Sequence, residues 1–373
     1  MKVTFISNFF NHHQKPFSDM MYKLTDSSYR FISTEQMPEA RKAMGYDKIS
    51  VPEYVIDSSF DSESRSMAKS IIAESDVVIA GSVTEDYLSN YIQRGNLLFR
   101  YSERQFKSLS DRLKFPLRYI KLHKSNPKGK NIYLLAASAY SYPDYRSLGL
   151  FKNRAYKWGY FPETIEYNIE QLLNGKDRHK ILWCGRFLDW KHPDLAIKVV
   201  RRLLNDGVSV EMEMIGTGPM LEQVRAEISR NKLDCCIKLL GAMPPDDVRL
   251  RMERAGTFLF TSDRNEGWGA VLNEAMNSGC AVVASDAAGA TPYLIKDSVN
   301  GFTYKNEKEL YEKLKKVICD NDLKDSLGRN AYLSIKNEWN ATVAAERLFR
   351  LIREIQGGNE YPDLFESGPC SRA

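Results

Sequence analysis

The chain has 373 residues, of which 43% are hydrophobic and 27% charged, an ordinary composition for a globular protein with room for two domain cores. No apolar run approaches the roughly 20 residues that a membrane helix needs, and the first residues lack a signal-peptide pattern, so we expect a cytoplasmic protein. The six cysteines are scattered without a C-x-x-C pair, which disfavours a disulfide framework or a cysteine-based metal site.

Strands and helices alternate through the first half of the chain. The run MKVTFIS predicts a first strand at 1–7. Further apolar runs predict strands at 76–81, 97–100, 131–137 and 155–161, and helical patterns occur at 62–74 and 85–94. This alternation favours a mostly parallel sheet.

A polar loop follows the first strand, where a Rossmann-like unit would often carry a glycine-rich turn. The loop contains Asn11, His12 and His13, and we consider it a candidate for substrate contact. Adjacent histidines are also compatible with a metal or acid–base site. Because the side chains of sequence neighbours usually point apart, and no other His or Cys lies nearby, we disfavour metal binding.

Basic residues are concentrated between positions 100 and 157, where fourteen Lys or Arg oppose three acids. Within this region, residues 106–124 combine apolar and basic side chains in an amphipathic pattern that Pro116 breaks or kinks. Two interpretations remain open. In the first interpretation, the segment from Arg104 to Lys130 lies on an anionic membrane surface. In the second, it is a surface helix packed on its own domain.

A second α/β series occupies the rest of the chain. Strands are predicted at 181–184, 208–215, 237–240, 257–261 and 280–284. One helix is predicted after the turn at 216–219 and extends to 230. Further helices are predicted at 191–204, 246–255, 270–278, 308–319, 323–337 and 342–355. We expect residues 357–373 to be a disordered tail.

Three of these predicted strands end in glycines, which allow a close approach of the backbone to a ligand. The glycines are Gly185 after the first, Gly216 and Gly218 after the second, and Gly267 and Gly269 after the fourth. Because the carboxyl ends of parallel strands share one edge of a sheet, these exits converge on one crevice.

Arg186 and Lys191 follow the first glycine exit. A guanidinium and an ammonium together suit a diphosphate, the first by its fork geometry and the second as a point charge. The alternative is that both residues form ordinary surface ion pairs.

Two carboxylates, Glu266 and Glu274, are separated by seven residues, one at the strand exit and the other about one turn into the next helix. The helix start between them favours an anion, so carboxylates beside it suit the hydroxyls of a sugar or ribose. The alternative is a helix with two solvated glutamates.

Taken as a set, Gly185-Arg186 with Lys191, the turn at 215–219 and the E-x7-E segment at 266–274 resemble the retaining glycosyltransferases of family four. The first half matches more loosely, and its segments NHHQ, STEQMPE and KWGYFPE resemble a bacterial subgroup that builds surface polysaccharides. The resemblance covers roughly residues 180–300. It implies an α/β protein of the GT-B fold, with two Rossmann-like domains facing a central cleft. The implied domains are an acceptor-binding domain at 1–165, a nucleotide-sugar-binding domain at 166–338, and a C-terminal helix at 339–356 that crosses back to the first domain.

The resemblance also implies roles for individual residues. Arg186 and Lys191 would neutralise the donor diphosphate, and Glu266 would bond hydroxyls of the donor sugar, which makes these three the catalytic candidates. Glu274 would bond the ribose. The remaining donor-binding candidates are Gly185, Gly216, Gly218, Leu240, Gly241, Gly267, Trp268, Gly269 and Ala270. On the acceptor side the candidates are Asn11, His12, His13 and Ser102.

We therefore expect a metal-independent hexosyltransferase that uses a UDP- or GDP-sugar and a glycan or lipid-linked glycan acceptor, with no nucleic-acid partner. A D-x-D sequence at 320–322 lies between two predicted helices, and we interpret it as a helix cap, not a metal site. The alternatives are a non-catalytic subunit that binds nucleotide sugar, and a nucleotide-sugar epimerase of the same architecture. If the basic segment from Arg104 to Lys130 binds lipid, the enzyme would lie on the inner face of the membrane.

Overall fold

The computed structural model of the chain describes residues 1–42, 49–107, 111 and 114–373. The chain divides into two compact units, one formed by Met1–Glu163 with Asn340–Ala373 and the other by Thr164–Trp339. Each unit has one parallel sheet within its described residues, with helices packed on it, so the predicted α/β class is confirmed.

The sheet of the first unit is built on strands that are buried on both faces, as in β1, where all five residues are buried. Its neighbours run in the order β3-β2-β1-β4-β5-β6-β7, and every pairing is parallel. The strands are β1 Val3–Ser7, β2 Tyr29–Ser33, β3 Val55–Asp57, β4 Val77–Ala80, β5 Leu97–Ser102, β6 Ile132–Ala136 and β7 Ala155–Lys157. The sequence pattern did not predict β2 and β3.

The described helices of this first stretch of chain are α1 Lys15–Leu24, α2 Glu39–Lys42, α3 Ser62–Glu74, α4 Ser89–Gln93, α5 Phe115–Ser125 and α6 Ser141–Ser147. A 3-10 turn, Glu85–Tyr87, precedes α4, so the helix predicted at 85–94 is interrupted. The amphipathic stretch predicted at 106–124 is described as α5 in its second half. Its residues 108–110, 112 and 113 lie outside the described part of the chain.

The sheet of the second unit has the strand order β10-β9-β8-β11-β12-β13, again parallel throughout. The strands are β8 Asp177–Cys184, β9 Glu211–Ile215, β10 Ile237–Gly241, β11 Ala255–Phe260, β12 Ala281–Ser285 and β13 Phe302–Tyr304. The three-residue strand β13 was not predicted, because its apolar run is too short to stand out from the surrounding sequence.

The helices of the second unit are α7 Ile169–Asn174, α8 Pro193–Asn205, α9 Leu221–Arg230, α10 Pro245–Arg254, α11 Val271–Asn277, α12 Thr291–Leu294, α13 Glu307–Cys319 and α14 Asn321–Asn337. Helix α8 buries Ala196, Val200 and Leu203 at helical spacing. The Asp320 side chain accepts a hydrogen bond of 2.9 Å from the Leu323 amide at the start of α14. This bond confirms that the D-x-D sequence caps a helix.

The last helix, α15 Ala341–Gln356, packs against α1, so the chain returns to the unit in which it began. The prediction of disorder for 357–373 is wrong. The Lys157 amide donates to the Ser371 carbonyl at 2.8 Å, and the Cys370 amide donates to the Lys157 carbonyl at 2.8 Å. The edge strand β7 offers unpaired backbone groups, and the tail satisfies them. Because the tail is rich in Gly, Pro and Ser, its sequence did not indicate this pairing.

Candidate functional site

The candidate site of the second unit lies at the carboxyl edge of its sheet. Strands β9, β8 and β11 are neighbours in that sheet and run parallel. Their ends therefore bring Gly216, Gly185 and Thr261 to one edge, each directly after the last residue of its strand. The glycine-bearing strand exits predicted from the sequence are thus adjacent in the structure.

The glycines at these exits are required by backbone packing. Gly216 has a φ of 131°, and a Cβ there would lie 1.9 Å from the Gly185 carbonyl oxygen. Gly218 has a φ of 155°, and its Cβ would lie 2.6 Å from the Phe187 carbonyl oxygen. The Gly216 amide also donates to the Gly241 carbonyl at 2.7 Å. No L-residue with a side chain fits these contacts, so the glycines set the shape of the edge before any ligand is considered.

The loop between β11 and α11 is anchored by Trp268, whose side chain is fully buried. Its indole Nε1 donates to Asn273 Oδ1 at 2.9 Å. Gly269 has a φ of 98°, and a Cβ there would lie 2.5 Å from the Phe260 ring. The expectation that Trp268 contacts the donor therefore needs correction for its side chain, which belongs to the core. The predicted donor contacts around Gly267 and Ala270 would then be made by the backbone.

Lys191 and Glu266 are the two charged groups that the structure brings together. The Lys191 ammonium donates a hydrogen bond to a Glu266 carboxylate oxygen, and only 13% and 15% of the two side chains are exposed. Lys191 ends a short 3-10 turn after β8, and Glu266 lies in the loop after β11. A sheltered ion pair at a sheet edge is held more rigidly than an exposed one, since less solvent competes for each charge.

Three further contacts, which the sequence did not indicate, join the same two loops. The Thr261 hydroxyl donates to the Lys191 carbonyl at 2.5 Å, and the Asp263 amide donates to the Trp190 carbonyl at 2.8 Å. His192 Nε2 lies 3.2 Å from Asp263 Oδ2. His192 has a left-handed φ of 47°, which is uncommon outside glycine and often marks a functional segment. Thr261 and Asp263 lie in the polar run TSDRNE after β11, and this run is the sequence signal that could have indicated them.

Glu274 and Arg186 complete the charged groups predicted for this edge. Glu274 is the fourth residue of α11 and is half-buried, and Arg186 is exposed. Burial raises the pKa of the Cys184 thiol to about 12, the Glu274 carboxylate adds to this rise, and the Lys191 ammonium opposes it. Both charges therefore act on the end of β8. The raised pKa favours the neutral thiol of Cys184 near neutral pH.

Leu240 and Gly241 end β10 and are both half-buried. Gly241 has a φ of 75°, and a Cβ there would meet nothing within 4 Å. Open space beside the last residue of a strand at this edge is compatible with the prediction that Leu240 and Gly241 bind the donor. The carbonyl of Gly241 is already used by the Gly216 amide, so it supports the turn of the neighbouring strand.

In the first unit, Asn11, His12 and His13 follow β1 at the carboxyl edge of that sheet. The His13 amide donates to Asn11 Oδ1 at 2.9 Å, which turns the loop tightly. The expectation that the two histidine rings point apart is wrong, because their centroids are 3.9 Å apart. The side chain of Asn11 shapes the loop, and the two histidine rings lie close together beside it.

Ser102 ends β5 at the same edge of the first sheet, two strands away from β1. Its hydroxyl shares a hydrogen bond of 3.0 Å with the Tyr145 hydroxyl and accepts one of 3.0 Å from Gln105 Nε2. Tyr145 is buried. Ser102 therefore stabilises the loop after β5, and this structural role weakens its assignment as an acceptor ligand.

Residues 164–334 match the family described as glycosyl transferases group 1. Over 151 residues the chain is 30% identical to the amylovoran biosynthesis glycosyltransferase AmsK of Erwinia amylovora, covering 39% of this chain and 36% of AmsK. Over 179 residues it is 25% identical to the putative colanic acid biosynthesis glycosyltransferase WcaL of Salmonella typhimurium, covering 46% of this chain and 44% of WcaL. These matches span less than half the length of either relative.

Solved structures resemble the chain over nearly its whole length. HepE of Anabaena, solved in complex with UDP, superposes with a TM-score of 0.70 and 16% identity, covering 95% of this chain and 100% of HepE. WaaG, a glycosyltransferase involved in lipopolysaccharide biosynthesis, gives a TM-score of 0.63 with 14% identity, covering 94% of this chain and 99% of WaaG. The two parallel-sheet units thus match the GT-B glycosyltransferase fold.

Proposed function

We propose that this chain, whose residues 164–334 match the family described as glycosyl transferases group 1, transfers a hexose from a nucleoside-diphosphate sugar to a glycan or lipid-linked glycan acceptor. Several of its relatives carry names from bacterial polysaccharide biosynthesis. The UDP bound to HepE supports a UDP- or GDP-sugar as the donor. The process we propose is the synthesis of a surface polysaccharide.

The observation that carries the proposal is the sheltered contact between Lys191 and Glu266 at the ends of two adjacent strands. An ammonium beside a carboxylate can serve a donor that has both an anionic and a hydroxyl-bearing part. The ammonium turns towards the diphosphate, and the carboxylate accepts hydrogen bonds from sugar hydroxyls. In the chain without donor, each group neutralises the other.

The other charged residues receive matching roles in this proposal. The exposed Arg186 guanidinium would add a second positive charge to the diphosphate, and Glu274 would accept the ribose hydroxyls. Backbone amides around Gly267 and Gly269 would complete the cradle. The positive charge of Arg186 and Lys191 stabilises the leaving diphosphate, so the proposal requires no metal ion.

We propose that the sugar keeps its anomeric configuration. The acceptor hydroxyl attacks the anomeric carbon from the face that the diphosphate leaves, and a diphosphate oxygen takes its proton. The new bond joins the anomeric carbon to the acceptor oxygen as the bond to the phosphate oxygen breaks. Lys191 and Arg186 would then stabilise the transition state, because their positive charges would offset the negative charge that grows on the diphosphate.

None of the helices in the described part of the chain is long and apolar enough to cross a membrane. We propose that the enzyme works in the cytoplasm at the inner face of the membrane, where a lipid-linked acceptor would present its glycan. The basic segment from Arg104 to Lys130 would provide the contact with anionic lipid.

The test is release of nucleoside diphosphate from UDP- and GDP-sugars in the presence of candidate acceptor glycans. Lys191→Ala and Glu266→Ala are each expected to lower turnover by more than about tenfold. Lys198→Ala is the matched control, because Lys198 forms an exposed ion pair with Glu307 in the same unit, at 2.6 Å. Unchanged turnover in both site variants, or an equal loss in the control, would reject the proposal.

Two further measurements address the finer parts of the mechanism. NMR of the product during early turnover is expected to show the donor's anomeric configuration, and an inverted product would reject retention. Turnover in excess EDTA is expected to match turnover without it. A loss that Mg²⁺ or Mn²⁺ restores would reject metal independence.

A further inference from the structure

Cys235 and Cys236 are neighbours in the sequence and lie in the turn that precedes β10 in the second unit. Their two sulfur atoms are 3.3 Å apart and share a hydrogen bond. Cys235 is exposed and Cys236 is half-buried. Two thiols at this distance, one of them open to solvent, allow the oxidation of one sulfur to be followed by attack of the other.

The backbone on both sides of this pair is held in place. The Cys236 amide donates to the Leu233 carbonyl at 2.9 Å, and the Ile237 amide donates to the same carbonyl at 2.8 Å. The Cys236 carbonyl accepts a hydrogen bond of 2.8 Å from the Met212 amide on the neighbouring strand β9. Because the turn and the sheet both bond to Cys236, its sulfur is kept at a defined place beside Cys235.

The two thiols differ in their environment. The hydrogen bond with Cys235 raises the pKa of the Cys236 thiol above its ordinary value, and burial raises it further. The Glu211 carboxylate adds to this rise, and the Lys238 ammonium opposes it. Cys236 therefore keeps its proton, and the exposed sulfur of Cys235 is the one that meets an oxidant first.

A disulfide between sequence neighbours has an unusual geometry. Consecutive Cα atoms across a trans peptide are about 3.8 Å apart, whereas the Cα atoms of a disulfide are usually about 4.4–6.8 Å apart. Disulfides that depart from the usual geometry are easily reduced, and such bonds act as reversible switches more often than as structural links. A bond between Cys235 and Cys236 would therefore form and break with the redox conditions.

We propose that Cys235 and Cys236 form a redox-active dithiol that hydrogen peroxide converts reversibly into a disulfide between the two neighbours. The Cys235 sulfur attacks one peroxide oxygen, the O–O bond breaks, and the departing hydroxide takes up the thiol proton as water. The Cys236 sulfur then attacks the sulfenic acid, the S–O bond breaks, and the hydroxide leaves with the Cys236 proton as a second water. The two thiols lose two electrons, which reduce the peroxide. This chemistry uses no residue of the proposed sugar transfer, so either proposal can fail without the other.

The disulfide would act on the pairing of β10 with β9. Closing the S–S bond turns the peptide between the two cysteines, and with it the Cys236 carbonyl that accepts from the Met212 amide. Strand β10 lies at the edge of its sheet, with β9 as its neighbour, so a lost bond at its first turn is not replaced from the other side. We expect the Met212 amide to exchange with solvent at least about fivefold faster in the oxidised chain.

The experiment treats the full chain with hydrogen peroxide, alkylates the remaining thiols, and digests the protein with trypsin for mass spectrometry. Trypsin cleaves after Lys232 and Lys238, so the peptide 233–238 contains this cysteine pair and no other cysteine. It is expected to lose two hydrogen atoms and to take up no alkyl group, and dithiothreitol should restore both alkylation sites. Hydrogen–deuterium exchange of the Met212 amide is measured on the same reduced and oxidised samples.

Cys319→Ser is the matched control, because Cys319 is an exposed cysteine of the same unit without a neighbouring thiol. It should form the internal disulfide like the wild type. Cys235→Ser and Cys236→Ser should form none, and peroxide should leave exchange at Met212 unchanged in both. A sulfinic acid or a disulfide between two chains as the main wild-type product would overturn the proposal. So would thiols in peptide 233–238 that stay reduced while Cys319 is oxidised. Equal exchange at Met212 in the reduced and oxidised wild type would refute the effect on β10.

Discussion

The second unit ends strands β8, β9 and β11 in tight glycine turns and a sheltered ion pair, whereas the first unit ends β1 and β5 in polar side chains that bond to their own loops. In the second unit the backbone itself sets the geometry of the sheet edge, and the turns hold Lys191 and Glu266 at that edge. In the first unit Asn11 and Ser102 are used to hold the loops. The same kind of sheet can thus carry one edge whose geometry the backbone sets and another whose loops are held by side chains.

The largest effect is expected from a side chain placed in a glycine turn of the second unit. Gly216→Ala puts a methyl group onto the Gly185 carbonyl, and we expect a loss of about 3 kcal/mol or more in the free energy of unfolding. Gly207→Ala is the control, because Gly207 has a φ of 78° but nothing within 4 Å of its Cβ, and should cost about 1 kcal/mol. Urea denaturation measures both. Equal losses would show that close packing does not set this edge.

The next effect concerns the coupling between Lys191 and Glu266. In a double-mutant cycle on turnover, the loss in Lys191→Ala with Glu266→Ala should be smaller than the product of the single losses. The expected coupling is about 1–3 kcal/mol, because the contact is sheltered from solvent. If the two losses are independent, Lys191 and Glu266 do not act together. The contrast between this ion pair and the loop-holding side chains of the first unit would then weaken.

A smaller change in stability is expected from Ser102→Ala in the first unit. The substitution removes the partner of the buried Tyr145 hydroxyl and should cost about 1–2 kcal/mol of unfolding free energy. Ser147→Ala serves as the control, since its exposed hydroxyl bonds to the Asp144 carbonyl on the same helix. If Ser102→Ala instead raises the KM for the acceptor with stability unchanged, Ser102 is an acceptor ligand after all.

The smallest effect is expected at His192, a positioning residue for Lys191. Glycine adopts the left-handed φ of 47° without strain, so His192→Gly should preserve the fold while it removes the contact with Asp263. We expect turnover to fall about threefold to tenfold, with the loss mainly in kcat. His192→Asn should restore part of it, since Asn tolerates this φ and keeps a polar side chain. Full activity in His192→Gly would exclude the positioning role.

Most of the sheet could be predicted from sequence, because buried parallel strands are continuous apolar runs that end at glycines or polar residues. The runs at 77–80 and 281–285 are examples. Strands β3 and β13 have only three residues each and carry too little pattern to be found. The order of the tail could not be predicted either, since it depends on backbone groups that only the assembled edge strand exposes.

The site was predictable where residue type alone carries the chemistry. Glycines, Arg186, Lys191 and the two glutamates mark the second unit in the sequence. Trp268 shows the limit, because an aromatic residue within a motif can equally belong to the core, and its burial decides this. The contact of His192 with Asp263 joins residues 71 positions apart, and no local pattern announces it.

We propose that the carboxyl edge of the second unit binds a nucleoside-diphosphate sugar through Lys191, Arg186 and Glu266. The most direct test is thermal denaturation of the wild type and of Arg186→Ala with Lys191→Ala, alone and with UDP-, GDP-, ADP- and dTDP-sugars. At about one hundred times its Kd, a bound donor should add about 2.7 kcal/mol to the wild type. We expect this stabilisation for UDP- or GDP-sugars in the wild type and its loss in the double variant. Equal stabilisation of both proteins, or none by any donor, would contradict it.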